Sequence, residues 1–355
     1  MNLENYHVYW FAPFDLSCPS TRYRGRYPLA YLQKTYGISF DFVYPSRSIP
    51  HIIYFFRIWL EVIFFRKPHA IIVIQKVCTN RYYANLLKLM VRMNKRHTLY
   101  DLDDAEYYRN PSQTLDFFIQ ACETVQVGSQ ALYDYCVKLN PNVHLVTSPV
   151  LDHPHRKQQR AEKPILGWVG DFGNGKTVSQ SFSHKRSMYQ LVFPALISLP
   201  YPIKFSIIGV KREEDIPEIE SYFMDYPHIE LEIPDQLDWR EDKWVYEKIT
   251  EFDIGLAPLV PHPFNEAKSA FKAKQYLSCG VPVIASDVGE NGKFVKNGQN
   301  GFLYSEPEEL IELVDQIVHT EETTYTQFMK NSLETKASFS MEGYCQTLIQ
   351  KLLKT

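Results

Sequence analysis

Two lysines, Lys268 and Lys272, lie where a helix is predicted to begin, directly after a buried strand and a proline-marked loop. The helix is expected to run from about Ser269 to Cys279, because a glycine suited to the C′ position follows it. The first backbone N–H groups of a helix bind anions, and residues four apart share one helical face. Lysines at this end oppose the helix macrodipole unless an anion is bound. The pattern therefore predicts a seat for a diphosphate; the alternative is a pair of solvated lysines on an exposed helix.

A second phosphate-binding pattern occupies residues 170–177, GDFGNGKT, which follow the predicted strand ILGWV. The letters match Gly-x4-Gly-Lys-Thr, the P-loop pattern of nucleoside triphosphatases. A P-loop needs a helix that starts at the Lys-Thr step, but the next residues, VSQSFSH, have no apolar helical period. The sequence downstream also offers no good apolar strand that ends in an aspartate able to hold magnesium. A P-loop NTPase is therefore an alternative function and not the first one.

Two clusters of side chains could bind a metal ion, but each also suits a role that needs none. Asp101, Asp103 and Asp104 in YDLDDAEYY could chelate Mg²⁺ or Mn²⁺, bind hydroxyl groups of a ligand or cap a helix. The aspartate and two histidines at 152–155 could bind zinc, but no further ligands follow at suitable spacing, so a loop is the preferred interpretation. The residue pattern therefore requires neither a metal ion nor another cofactor, and it leaves the three roles of the aspartates open.

Three arginines, Arg22, Arg24 and Arg26, follow the first predicted strand in STRYRGRYPL. A loop at the edge of a parallel sheet is where ligands bind, and guanidinium groups bind phosphates in a two-point manner. We expect this segment to contact a phosphate group of a bound substrate. Solvated surface charge is the alternative.

The elements that must position these residues follow a βα pattern. The 355 residues suffice for two domains of about 150 residues each. Short apolar runs alternate with helical stretches, which is typical of parallel sheets. Strands are predicted in one series at Tyr6–Phe11, Ser39–Tyr44, Ala70–Gln75, Thr98–Leu102 and Thr124–Val127, and in another at Ile165–Val169, Lys204–Ile208, His228–Ile233, Asp253–Ala257 and Val281–Ala285.

The predicted domain organisation rests on composition. Residues 1–150 form one domain, a charged and proline-containing linker spans 151–164, a second domain spans 165–322, and a helical segment at 323–355 is expected to cross back to the first.

The first 150 residues hold 16 Lys and Arg against 11 Asp and Glu, whereas the rest hold 22 against 30. The basic half suggests an anionic partner, such as a phospholipid surface or a phosphate-bearing substrate.

The remaining signals concern location. The six cysteines show no Cys-x-x-Cys pair, which favours free thiols. The N-terminus does not resemble a secretory signal, so we expect a cytoplasmic protein, at the inner face of a membrane if it contacts one. Residues 49–65, IPHIIYFFRIWLEVIFF, fall short of the roughly 20 apolar residues that span a bilayer. A buried helix is the first interpretation of this stretch, and a helix in a membrane interface is the second.

The segment at 268–304, KSAFKAKQYLSCGVPVIASDVGENGKFVKNGQNGFLY, resembles glycosyltransferase family 4, a group of glycosyl transferases. Weaker similarities occur in order in YDLDDAEYY, VQVGSQAL, ILGWVG and STRYRGRYPLAYL. The resemblance implies an α/β protein of the GT-B fold, with two Rossmann-like, doubly wound parallel-sheet domains facing across a cleft. It also implies metal-independent, retaining transfer from a nucleotide-diphosphate sugar to a glycan, lipid-linked or other acceptor, as in polysaccharide biosynthesis, with no role for nucleic acid.

The resemblance also assigns site residues. Lys272 and Lys268 would stabilise the departing diphosphate, and Asp103 is a third catalytic candidate. The glycine-marked loop after the first strand of the second domain approaches the donor phosphates in this family, so Lys176, or else Lys185 or Arg186, would supply charge there. The expected donor-binding residues are Gly170, Lys176, Asn265, Glu266, Lys268, Ser269, Lys272, Gln275 and Gly289. The expected acceptor-binding residues are Arg22, Arg24, Asp103 and Asp104.

Three positions depart from the family pattern. Many members carry two glutamates eight positions apart, but here Gln275 takes the second place and Ala267, beside Glu266, takes the first. Asp171 stands where an arginine is common. A neutral amide binds a ribose hydroxyl less strongly than a carboxylate does. These departures motivate a second hypothesis, a nucleotide-sugar-binding subunit with reduced catalysis. A third is a GT-B sugar-nucleotide epimerase.

Overall fold

The computed structural model describes residues 3–77, 80–109, 112–172, 181–210, 215–234 and 241–354. The chain divides into two compact units. The first comprises Met1–Leu151, Ala267–Ser269 and Phe339–Thr355, and the second comprises Asp152–Glu266 and Ala270–Ser338. The C-terminal segment and three residues near the predicted diphosphate seat are thus counted with the first unit.

Each unit is built on a parallel sheet that has six strands in the described part of the chain. The strand order is β2-β1-β3-β4-β5-β6 in the first unit and β12-β11-β10-β7-β8-β9 in the second. The strands are β1 His7–Phe11, β2 Ser39–Val43, β3 Ala70–Gln75, β4 Thr98–Leu102, β5 Thr124–Val127, β6 Val143–Leu145, β7 Ile165–Val169, β8 Ile203–Ile208, β9 Ile229–Glu232, β10 Ile254–Ala257, β11 Val283–Ser286 and β12 Gly301–Tyr304.

Helices connect successive strands, as parallel pairing requires. Two of them continue π-helical turns, at Thr21–Arg26 and Met188–Val192. The α-helices are α1 Tyr27–Tyr36, α2 Ile49–Phe65, α3 Arg81–Met93, α4 Gln113–Ala121, α5 Gln130–Cys136, α6 His184–Ser187, α7 Phe193–Ile197, α8 Asp215–Phe223, α9 Asp242–Ile249, α10 Pro263–Glu266, α11 Phe271–Ser278, α12 Asn291–Phe294, α13 Pro307–Val318, α14 Glu322–Thr335 and α15 Met341–Leu352.

The central strands of both sheets are buried on both faces. Every residue of β1, β3 and β4 is buried in the first unit, and every residue of β10 and β11 is buried in the second. Strands covered on both faces read as continuous apolar runs, which is why AIIVIQ and VIAS were predicted as strands. Helix α15 packs on the first unit through Tyr344, Leu348 and Leu352, which join the core around Trp10.

The predicted fold class is confirmed: both units are α/β and their sheets are parallel. The predicted strands occur at their expected places, with ends shifted by at most two residues. Strands β6 and β12 were not predicted. Strand β6 has three residues, and β12 begins at a glycine, so neither shows a period long enough to recognise.

Helix α2 is the apolar stretch for which the sequence allowed two interpretations, a buried helix and a helix in a membrane interface. Its inward side chains, Phe55, Ile58 and Val62, are buried, while several of its other large apolar side chains are exposed. Among the described residues, no helix combines the length and the apolar character needed to cross a membrane.

Candidate functional site

The start of helix α11 lies at the carboxyl edge of the second sheet, after β10 and its loop. Its N-cap residue, Ala270, has a left-handed backbone with φ of +55°, and an alanine side chain cannot cap the helix. A non-glycine residue in this conformation costs about 1–3 kcal/mol, which is typical of ligand-binding turns. The first helical hydrogen bond runs from the Lys274 N–H to the Ala270 carbonyl. The positive end of the helix dipole is therefore held at this edge.

Two contacts fix α11 against the sheet. The Tyr276 ring fills the space beside Gly255, where a Cβ atom would lie 2.4 Å from it. The Val169 N–H donates to the Tyr276 hydroxyl over 2.9 Å. Because α11 is tied to both β7 and β10, the first turn of the helix has a defined position relative to the loops that follow these strands.

Lys272 lies in the first turn of α11 and its ammonium is fixed by aromatic neighbours. Lys272 Nζ is 3.1 Å from His184 Nε2 and 5.5 Å from the centroid of the Trp168 ring. An ammonium only donates hydrogen bonds, so the charged lysine requires an accepting Nε2 and a neutral imidazole. The geometry presents the positive charge of Lys272 beside a helix N-terminus, which suits a diphosphate.

Gly170 follows β7 and leaves room for this lysine. A Cβ atom built there would lie 2.8 Å from Lys272 Cε and 2.5 Å from Trp168 Cζ2. A methyl group at this position must therefore displace the indole, the lysine or both. Packing therefore requires a glycine at position 170, the position that the resemblance assigns to donor binding.

We expect Gly170→Ala to lower kcat for sugar transfer by at least about tenfold, since a displacement of about 1 Å at a catalytic group is costly. Overpacking should also lower the free energy of unfolding by about 1–3 kcal/mol. Initial rates and chemical denaturation measure the two effects. Gly343→Ala in α15 is the control, because the nearest described atom to its Cβ is the hydroxyl of the helix-capping Ser340, at 3.2 Å, and the residue lies far in sequence from α11. Unchanged kinetics in Gly170→Ala would contradict the placement of Lys272.

The other candidate cations for the phosphate loop differ in environment. Lys176 lies outside the described residues. Lys185 is buried and forms ion pairs with Asp215, at 3.0 Å, and with Glu218. Arg186 Nε donates to Gln190 Oε1 on the same exposed helical surface. Lys185 thus serves the packing of the second unit, and of the described basic residues Lys272 fits the phosphate position best.

The remaining donor candidates of the second unit lie around the same loops. Glu266 is exposed, and its Oε2 accepts a 3.0 Å hydrogen bond from the backbone N–H of Gly289. Asn265 is fully buried and its amide donates to the Val260 carbonyl. Gln275 lies in α11 and is 6% exposed. Glu266 therefore offers a solvent-facing carboxylate, whereas Asn265 holds the loop in shape.

A network of ion pairs occupies the carboxyl edge of the first sheet. Lys76 Nζ lies 3.1 Å from Asp103 Oδ1 and 2.7 Å from Asp104 Oδ2, and Lys268 Nζ lies 2.8 Å from Asp104 Oδ1. Burial alone would raise the pKa of Asp104, but Lys268 and Lys76 outweigh it and hold that pKa well below its ordinary value. Burial would lower the pKa of Lys76, yet Asp103 and Asp104 raise it. Asp104 and Lys76 are therefore both charged near neutral pH.

Arg24 lies in a separate and fully buried network of the first unit. Its Nε and Nη2 donate to the two carboxylate oxygens of Asp101 over 2.8 and 2.6 Å, and its Nη1 donates to Ser148 and to the Val146 carbonyl. Neither side chain of the Arg24–Asp101 pair has any exposed surface. Arg22 is 3% exposed and donates to the carbonyls of Leu16 and Ser17. These environments favour structural roles for both arginines.

Three residues of these networks were absent from the sequence-based site. His184 begins α6, where Ser183 accepts the Arg186 N–H as a helix cap, so a capping signal marked its position but not its contact with Lys272. Trp168 belongs to an apolar strand pattern. Lys76 has a left-handed φ of +43°, a conformation that no sequence pattern predicts for lysine.

The segment at 152–155, one of the two candidate metal clusters, packs through its own side chains. His153 stacks on Tyr246 at 4.0 Å and its Nε2 lies 3.0 Å from Ser278 Oγ. Burial lowers the pKa of His153 to about 3. Asp152 pairs with Lys336. Among the described residues, no group of three or more His, Cys, Asp or Glu side chains is placed to hold a metal ion.

Comparisons with known proteins agree with this architecture. Residues 181–320 match the family model of glycosyl transferases group 1. A sucrose-phosphate synthase (tll1590) from Thermosynechococcus elongatus aligns with a TM-score of 0.71 at 14% identity, over 97% of this chain and 98% of that chain. A glycosyltransferase from Rickettsia africae ESF-5 aligns with a TM-score of 0.65 at 12% identity, over 99% and 98%. The UDP-glucose complex of Anabaena Alr3699/HepE aligns with a TM-score of 0.64 at 13% identity, over 98% of this chain and 100% of that chain. No curated protein matched the sequence.

The family match contains α6 with His184 and α11 with Lys272, so the comparison and the geometry point to the same part of the second unit. The similar structures establish the fold, while the narrower assignment to family 4 stays a prediction. The chain carries a glycosyl transferases group 1 domain and is a glycosyltransferase of the GT-B fold.

Proposed function

We propose that this chain moves a sugar from a nucleotide-diphosphate sugar to a glycan or lipid-linked acceptor, with retention at the anomeric carbon and without a metal ion. The observation that carries the proposal is the start of α11, where Lys272 lies 3.1 Å from His184 in the first turn of a helix whose N-cap residue is an alanine. A helix N-terminus and a fixed cation together stabilise a diphosphate.

Charge at the leaving group decides the rate of such a transfer. The bond from the anomeric carbon to the phosphate oxygen breaks, the acceptor oxygen bonds to that carbon, and the departing phosphate takes the acceptor proton. The new negative charge must be stabilised, and preorganised amides and cations contribute most when they need no rearrangement. In this proposal Lys272 and the first turn of α11 supply that stabilisation.

The other assignments complete the proposed donor and acceptor sites. Gln275 holds the nucleotide ribose and Glu266 lies near the donor sugar and diphosphate, which the loops at Gly170 and Gly289 also approach. Asn265 and Ser269 shape this donor site. On the first unit, Asp103 and Asp104 are proposed to contact sugar or acceptor hydroxyls, since their charged oxygens are strong hydrogen-bond acceptors. Lys268, which was predicted to hold the diphosphate together with Lys272, pairs with Asp104, so Lys272 carries that role in this proposal.

The test is transfer from UDP-, GDP-, ADP- and dTDP-sugars to a panel of acceptors, with and without EDTA. We expect one nucleotide to support transfer, and chelation to leave the rate unchanged within about twofold, because cationic side chains replace the metal. Loss of activity on chelation that Mg²⁺ restores would contradict the metal-independent mechanism. NMR of the product's anomeric centre separates retention from inversion.

A second candidate function is a binding subunit with reduced catalysis. Gln275 and the buried Ala267 stand where many family members have glutamates, and this observation favours it. Calorimetry would then show nucleotide-diphosphate binding with no turnover for any acceptor. A single productive turnover excludes this candidate.

A further inference from the structure

One face of the first unit exposes large apolar side chains. Helix α2 turns Phe55, Ile58 and Val62 into the unit, yet its opposite side is equally apolar. The outward stripe recurs at helical spacing, and its members are between 43% and 71% exposed: Ile49, Ile53, Phe56, Leu60 and Phe64.

Helix α3 extends this surface. Tyr82, Leu89 and Met93 are exposed by 86%, 44% and 53% and lie on one side of the helix. The indole N–H of Trp59 in α2 donates to the Leu86 carbonyl of α3 over 2.9 Å, so the two helices are locked side by side. We call the exposed stripes of the two helices, Ile49–Phe64 and Tyr82–Met93, the α2–α3 face.

Positive charges outnumber negative ones around the α2–α3 face. Residues 46–97 contain ten lysines and arginines, of which Lys76 is buried in its own ion pairs, and one acidic residue, Glu61. That carboxylate accepts a hydrogen bond from the Tyr9 hydroxyl. Asp41 of β2 adds a second carboxylate, 3.9 Å from Arg57 and 3.7 Å from Lys67. Arg57 lies beside the stripe of α2 with 63% of its side chain exposed, and Arg92 is exposed between Leu89 and Met93. The surface therefore complements an anionic, partly apolar partner.

We propose that the α2–α3 face inserts into the interfacial region of an anionic phospholipid bilayer. Helices with an outward apolar stripe and flanking lysines and arginines lie in the plane of a membrane interface, where apolar burial and attraction to anionic headgroups add. Exposed apolar surface of this extent marks an interaction site. The inward side chains keep α2 seated on the unit, so the helix binds along its length.

A cavity of the first unit adjoins this face. It has a volume of about 520 Å³ and its lining includes Phe14, Cys18, Tyr44 and Arg47. Residues 44–47 directly precede α2, so a unit bound through the α2–α3 face holds this cavity near the lipid surface. If the proposed transfer is correct, this placement favours a lipid-linked acceptor over a soluble one.

Vesicle flotation of the full-length chain tests the proposal. We expect binding to phosphatidylcholine vesicles that contain about 30% phosphatidylglycerol, weaker binding without the anionic lipid, and a marked loss at high salt. The variant Ile53→Ser/Phe56→Ser/Phe64→Ser should bind at least about tenfold more weakly, since three apolar groups no longer insert. All three side chains are exposed, so the variant should remain folded, which circular dichroism checks.

The matched control is Met224→Ser, which removes a 73% exposed apolar side chain from the second unit and should bind vesicles as the unmodified chain does. Absent vesicle binding, or equal binding by the triple variant, overturns the proposal. Light scattering tests the alternative occupant. If the unmodified chain is a dimer, the triple variant is a monomer and the unmodified chain does not bind vesicles, the face binds a second copy of the chain and the membrane proposal is wrong. Transfer to a soluble acceptor is measured in parallel, so loss of membrane binding alone does not count against the transferase.

Discussion

Replacing Lys272 by alanine is expected to lower kcat for sugar transfer by at least about 100-fold, the typical cost of removing one preorganised group that stabilises a leaving anion. The ammonium is held by His184 Nε2 at 3.1 Å and by the Trp168 ring at 5.5 Å, so it needs little rearrangement to meet a diphosphate. Because a lysine in the first turn opposes the helix dipole, its removal should leave the free energy of unfolding unchanged or slightly higher.

Steady-state kinetics with the best donor and a thermal melt measure the two effects of Lys272→Ala. Lys243→Ala is the matched control, since Lys243 also lies in a helix of the second unit but has 80% of its side chain exposed. The control should keep full activity. A Lys272→Ala enzyme with wild-type kcat would place the diphosphate elsewhere, and a large fall in stability would mean that the lysine supports the fold.

His184 contributes to the same proposed site through Lys272. A neutral imidazole that accepts from Lys272 orients the ammonium without adding charge. The contact between these two side chains joins α11 to α6, and it forms only when the second unit folds. It connects loops that are about 90 residues apart in the sequence.

How far the sequence could predict this protein differs between fold and site. Buried parallel strands read as apolar runs, so β3 and β11 were evident. The helix that begins near Lys272 was evident too, because a proline-marked loop precedes it and a glycine follows it. Pairing between distant side chains has no such local signal. The contacts of Lys272 with His184 and of Lys76 with Asp104 arise only when loops from different strands meet at a sheet edge.

The sequence was also an incomplete guide to the environment of the arginines in the first unit. The spacing of Arg22 and Arg24 after β1 suggested an anion-binding loop, and this prediction relied on both side chains reaching solvent. The π-helical turn at Thr21–Arg26 instead turns Arg24 inward to Asp101. Position along a loop therefore indicates which sheet edge a residue occupies, but not whether its side chain points to a ligand or to a buried carboxylate.

The buried Arg24–Asp101 pair should dominate the stability of the first unit. Replacing Arg24 by methionine is expected to lower the free energy of unfolding by about 3–5 kcal/mol, because a buried carboxylate loses its counter-charge. Burial would lower the pKa of Arg24, but Asp101 raises it, so the guanidinium stays charged at every accessible pH. Urea denaturation measures the loss.

The double variant Arg24→Met/Asp101→Asn separates the two possible roles of this arginine. Once the carboxylate is replaced by a neutral amide, no buried charge is left unpaired, and Gln126 Nε2, which is 3.1 Å from Asp101 Oδ1, can still donate to the amide oxygen. We therefore expect the double variant to recover most of the lost stability. If Arg24→Met instead unfolds like the unmodified chain and raises only the KM for the acceptor, Arg24 binds the acceptor as its sequence position predicted, and the buried pair contributes little to the fold.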